Sequence, residues 1–159
     1  MNNKKLTLSV FFIFTITVAA ISQQVTVRQL PGTGIETAGN TIHDHAGNVI
    51  IWGSFTQTLD FDPSSATYNL TAANPNNDGF AAKYDAGGAL LWAVDFASNS
   101  YGVTNAVDVD KDNNVYITGA FTGTIDADPS AASNIFTSAG DVDFFITKLS
   151  PSGNYLWAK

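Results

Sequence analysis

The chain has no cysteine at all in its 159 residues. That excludes a disulfide framework, a thiol nucleophile and a cysteine-ligated zinc site, so the fold must hold by packing. Glutamate is almost absent, with Glu36 alone, and the two histidines are His43 and His45. Basic residues are few, 7 Lys+Arg against 14 Asp+Glu, for a formal net charge of -7. A chain so poor in positive charge lacks the basic stripe that a nucleic acid partner requires. Enzyme signatures are missing too. No G-x-S-x-G elbow occurs, and "PGTGIETAG" carries Gly32 and Gly34 without the G-x-G-x-x-G spacing of a dinucleotide loop, so it reads as a plain loop.

What is present begins with a leader. "MNNKK" is a short basic head, and "LTLSVFFIFTITVAAI" is an apolar run too short for a comfortable membrane span. Ala20 and Ser22 stand three and one places before Gln23, which predicts a secretory signal peptide over 1–22 cleaved after Ser22. An uncleaved anchor helix is the competing reading, and no cysteine stands at Gln23's position to carry a lipid. Loss of the leader takes Lys4 and Lys5 and no acid, which makes the remaining chain more acidic still. With 45% hydrophobic residues the remainder can bury a core.

The strongest signal is a duplication. "NVIIWGSFTQTLDFDP" at 48–63 and "NVYITGAFTGTIDADP" at 114–129 agree at ten of sixteen positions. A second pair follows: Asp78, Phe80, Lys83, Gly88 and Trp92 match Asp143, Phe145, Lys148, Gly153 and Trp157. One unit of about 65 residues therefore occurs twice. In the later copy "TNAVDVD", "VYITGAF", "FFITKL" and "NYLWAK" read as strands, with "KDNN" and "SPSG" as turns, giving a small four-stranded antiparallel sheet with tight connections. Neither side of "VYITGAF" is charged, which predicts a sheet covered on both faces, as stacked propeller blades are. The predicted organisation is a leader at 1–22, an outer strand at 23–38 completing a neighbouring blade, unit 1 at 39–97 and unit 2 at 98–159.

The blocks "GNVIIWGSF" and "NNVYITGAF", then "DFDP" and "DADP", then "FAAKYDAGGALLWA" and "FFITKLSPSGNYLWAK", resemble the SBBP type of bacterial β-propeller repeat across residues 39 to 159. The resemblance implies a bladed all-β fold in an exported protein, with no established catalytic activity. A closed propeller takes typically about 4–8 blades, so two units are expected to be a fragment of a larger propeller, with association of copies or an open stacked pair as the competing readings.

Candidate chemistry centres on repeated acids. Asp60 with Asp62, and Asp126 with Asp128, each precede a proline, Pro63 or Pro129. Carboxylates two apart on an extended segment share a side and could supply part of a calcium shell, which needs six to eight oxygens. The competing reading is a turn in which Asp binds backbone and Pro stops the strand. "DVDKDNN" places Asp108, Asp110 and Asp112 like the start of an EF-hand loop, but Gly119 stands where the bidentate Glu belongs, and a hairpin turn fits better. "HDH" sets His43 and His45 on one strand face as half of a zinc site with no third histidine.

Trp92 and Trp157 repeat at matched strand positions and read as inter-blade packing rather than as sugar platforms. Trp52, matched by Thr118, is the freer aromatic, and Lys83 and Lys148 read as strand residues with snorkelling stems. In "SPSGNYLW" Ser152 replaces the acid of a sialidase Asp-box, and Asn69 heads an N-L-T sequon that matters only in a eukaryotic secretory route. Two functions follow. The first is a noncatalytic exported binding or structural module for a protein or glycan ligand, with calcium as the one candidate cofactor. The second is part of a glycan-active hydrolase using Glu36, His43 and His45 with an Asp.

Overall fold

The computed structural model describes residues 30–73 and 77–159, all of it strand, turn and loop. The expected signal peptide at 1–22 lies outside the described residues. Twelve strands run in order: β1 (Glu36–His43), β2 (Val49–Phe55), β3 (Thr58–Asp60), β4 (Asn69–Thr71), β5 (Asp78–Tyr84), β6 (Leu90–Phe96), β7 (Tyr101–Val109), β8 (Val115–Thr122), β9 (Thr124–Asp126), β10 (Ile135–Thr137), β11 (Asp143–Leu149) and β12 (Tyr155–Ala158). They form two four-stranded antiparallel sheets, β1-β2-β5-β6 and β7-β8-β11-β12, each with a two-stranded ribbon, β3-β4 or β9-β10. This is an all-β, propeller-like repeat with one meandering blade per sequence unit. The boundary drawn between residues 38 and 39 falls inside β1, which carries Glu36 to Ala38 as part of blade 1.

The same sequence devices shape both blades. Asp44 and Asp110 accept the backbone N–H four residues on, from Asn48 and Asn114, and so close the turns between first and second strands. Gly88 and Gly153 end the matching turns before β6 and β12 with φ of 83°, a region that glycine enters without penalty. A bulge falls at Gly39 in β1 and at Asn105 in β7, the same place in each blade.

The connection from second to third strand, expected as a displayed loop around 56–78 in unit 1 and 122–143 in unit 2, is built in part of regular structure. It crosses the blade as a ribbon of two three-residue strands, too short to stand out as alternation. The segment entering each blade then pairs with that ribbon. Gly32 bridges Leu59 as Ser98 bridges Ile125, and Asp60 N–H donates to Pro31 as Asp126 N–H donates to Ala97. Pro31 to Thr33 thus stand to blade 1 as Ala97 to Asn99 stand to blade 2. Residues 23–29 of the expected outer strand lie outside the described residues.

The two sheets stack face to face. Ile50, Trp52, Ala81 and Phe96 of blade 1 pack with Val115, Ile117, Phe121 and Phe145 of blade 2 in one buried cluster. Phe96 and Phe145 rings meet across the joint at 5.1 Å between centroids, an offset that favours aromatic pairs. A second cluster, with Phe55, Phe61 and Phe80 edge to face, lies on the far side of blade 1. Cover on both sides holds for blade 1, whose β5 is buried throughout. Blade 2 departs from that expectation. Val115, Ile117, Gly119 and Phe121 are buried, whereas Tyr116, Thr118 and Ala120 are half-buried and Phe144 is 79% exposed.

Candidate functional site

The joint between blades encloses one of the two repeated Asp–Lys pairs. Lys83 lies in β5 with its ammonium 2.7 Å from Asp44 Oδ2 and donating to the Pro151 carbonyl at 3.1 Å. Both partners are almost wholly enclosed, so Lys83 is a buried ion-pair member and not the snorkelling side chain expected of a strand lysine. Burial works against the Asp44 carboxylate, but the hydrogen bonds from Lys83 and Asn48 outweigh it and hold its pKa down at about 2. Trp92 Nε1 donates to the same Pro151 carbonyl at 3.2 Å, confirming the packing role read from its repetition. Gly153 lies against the Trp92 ring so closely that a Cβ would fall 2.8 Å from it.

Trp52, expected to be the freer aromatic, is 5% exposed and donates from Nε1 to the carbonyl of bulged Asn105. It has no counterpart because the matching face of blade 2 carries Thr118, half-buried. In blade 2 the cognate pair, Lys148 with Asp110 at 3.0 Å, is partly open to solvent, with Lys148 4.7 Å over the Tyr116 ring. Hydrogen bonding by Asn114 and Lys148 keeps Asp110 below the usual carboxylate range.

The repeated Asp-x-Asp-Pro segments lie at the ends of β3 and β9. Asp60 Oδ1 accepts N–H groups of Asp62 and Tyr68, and Asp62 Oδ1 accepts that of Ser64. Asp126 Oδ1 accepts from Asp128 and Asn134, and Asp128 Oδ1 from Ser130. Four carboxylates thus lock two identical turns, the role that the turn reading assigned them. Among the described residues no three His, Cys, Asp or Glu side chains gather where they could hold a metal ion. β1 ends at His43, and His45 lies in the turn beyond it, so the two do not share a strand face. Glu36 stands at the other end of β1, exposed and seven residues away, a separation of roughly 24 Å in extended chain.

Sequence reasoning missed the carboxyl pair that does face an unusual setting. Asp78, at the start of β5, is fully buried and accepts N–H groups of Ala73 and Ser98, tying the ribbon side of blade 1 to the segment that enters blade 2. Burial raises its pKa. Asp95 in β6 is pushed up to about 6 by burial and then by the charges of Asp78 and Asp126. No sequence signal marks Asp95, since its neighbours are supplied by elements far apart in the chain.

Asp95 lines a cleft of about 460 Å³ between the blades, at the outer edge of β6. One wall is Tyr68 and Leu70 from the ribbon of blade 1, and the other is Pro129, Ser130 and the turn from Ser152 to Tyr155 of blade 2. Tyr68 O–H donates to Ala93 O at 3.2 Å, and Asn134 Nδ2 donates to the Tyr155 hydroxyl at 2.8 Å, so both rings are fixed.

Comparison with known proteins points to the same architecture. An uncharacterized WD repeat-containing protein, L264, of Acanthamoeba polyphaga mimivirus is 27% identical over 144 residues, covering 72% of this chain and 10% of that protein. The chain thus spans about a tenth of the length of that curated relative. WD repeats build propeller blades of four strands, and this chain is similar in having one four-stranded sheet per repeat. No family model matches the chain, and no solved structure matches it.

Proposed function

We propose that the chain is a noncatalytic, exported binding or structural module that works at the cell surface or in the medium. The observation that carries this reading is the employment of the duplicated residues. Asp44 and Asp110, Asp60 and Asp126, Lys83 and Lys148, Trp92 and Trp157 all close turns, pair charges or pack a face, and a reaction centre is not something a fold repeats with every blade. The similarity to a WD repeat protein supports a repeat module, and the leader pattern at 1–22 supports export.

The glycan-hydrolase reading needs Glu36, His43 and His45 in one pocket with an Asp. With Glu36 and His43 at opposite ends of β1, the arrangement gives that reading no shared site.

Export is tested by expressing the chain with and without residues 1–22 in a bacterial host and following the protein by mass. The expected result is release or surface display of a product beginning at Gln23, with retention of the leaderless chain. Equal release of both forms contradicts the exported reading. Hydrolysis of a glycan that is lost in Glu36→Gln contradicts the noncatalytic one.

A further inference from the structure

We propose that the cleft along the outer edge of β6 receives a basic side chain, a guanidinium or ammonium, from a partner protein. This deepens the reading of the chain as a binding module and rests on it. The first support is charge. Among the described residues Asp95 is the sole charged one lining the cleft, and Asp78 and Asp126 lie near enough to add potential of the same sign. A cation entering there gains from all three carboxyl groups, whereas an anion is repelled and a neutral sugar gains nothing from the field.

Three of the lysines among the described residues are engaged elsewhere. Lys83 is bound to Asp44, Lys148 to Asp110 and Lys111 to Asp112, so none of these serves Asp95. The second support is the wall chemistry. Tyr68 donates its hydroxyl to Ala93 and Tyr155 accepts from Asn134, so both rings are held in place and present aromatic surface to the cleft beside Asp95. Aromatic surface beside a carboxylate suits a planar or alkyl-stemmed cation. The third support is the edge itself. Tyr68 O–H occupies the Ala93 carbonyl. One acceptor of the β6 edge is thereby taken, which disfavours an added strand and favours side-chain entry as the mode of contact.

The test uses the purified protein and three probes: acetyl-Gly-Arg-Gly-amide, the same peptide with citrulline in place of arginine, and the neutral trisaccharide xylotriose. Binding is followed by shifts of the Trp92 indole and Asp95 amide signals. Arginine peptide is expected to saturate these shifts, with the citrulline peptide at least tenfold weaker. Asp95→Asn should weaken the arginine peptide at least tenfold, and Tyr155→Leu several-fold.

Folding of Asp95→Asn is checked separately by its urea midpoint. An acid held near 6 in the fold favours folding while protonated, a benefit complete below the unfolded value near 4 and lost as pH rises through 6. The variant should therefore be at least as stable as the parent at pH 7. Equal binding of arginine and citrulline peptides, undiminished binding by Asp95→Asn, or no shift with the arginine peptide overturns the proposal. Xylotriose moving the same signals equally in parent and Asp95→Asn overturns it in favour of a glycan. None of these outcomes touches the noncatalytic reading, which stands or falls on Glu36→Gln.

Discussion

Replacing Gly79 by alanine is expected to lower stability by about 3 kcal/mol, because overpacking at a close contact forces backbone to move. A Cβ at Gly79 would fall 2.7 Å from Thr104 Oγ1 and 2.8 Å from Thr104 N, so the obstacle includes the main chain of β7 and not only a side chain that could turn away. Separating β5 from β7 by the required few tenths of an ångström loosens the whole joint, including the Phe96–Phe145 contact. The matched position in blade 2 gives the control. Phe144 occupies it with 79% of its surface exposed, so Phe144→Ala is expected to change stability by within about 0.5 kcal/mol. Urea unfolding of the two variants measures both. Equal costs at the two positions would mean that β5 does not lie against β7.

The second large effect is expected at the buried ion pair. Lys83→Met leaves the Asp44 carboxylate enclosed without its cation and removes the donor to Pro151, a loss of about 3–5 kcal/mol by the usual cost of breaking such a pair. Adding Asp44→Asn, which keeps the turn's acceptor while removing the charge, should restore a large part of that loss. The acid limb carries the same signature. A carboxylate depressed to about 2 contributes stability that is present above its unfolded value near 4 and lost as pH falls through about 2. The parent should show that loss on acidification, and the double variant should lack it. Lys148→Met in the partly open pair of blade 2 should lose only a small fraction as much, since solvent screens it. Similar losses at Lys83 and Lys148 would contradict the enclosure of the first pair.

Much of this was legible in the sequence, and the reason lies in which interactions are local. The two Asp-x-Asp-Pro turns, the Gly88 and Gly153 turns and the pairing order within each blade follow from spacing that repeats. So does the packing role of Trp92. What could not be read was anything set by the neighbour across the joint. Trp52 looked unconstrained because Thr118 replaces it in the copy, yet that difference reflects one blade face being covered and the other half open. Lys83 looked like a surface lysine because a strand lysine ordinarily reaches water, and only the Pro151 turn, 68 residues away, closes over it. The ribbons were missed because three residues are too few for alternation to register. Asp95 and its cleft draw on both blades, so no window of sequence holds the pattern.

The central claim is that the two blades form one packed body through a polar and aromatic joint, rather than two sheets on a string. The most direct measurement is hydrogen exchange of the three indole N–H groups by NMR. Trp52 and Trp92 in blade 1 donate to Asn105 O and Pro151 O of blade 2, so both signals should be strongly protected and should lose protection together in Gly79→Ala. Trp157, on the half-exposed face of blade 2, should exchange faster than either. Exchange of Trp52 and Trp92 as fast as that of Trp157 in the parent protein would contradict the stacked joint.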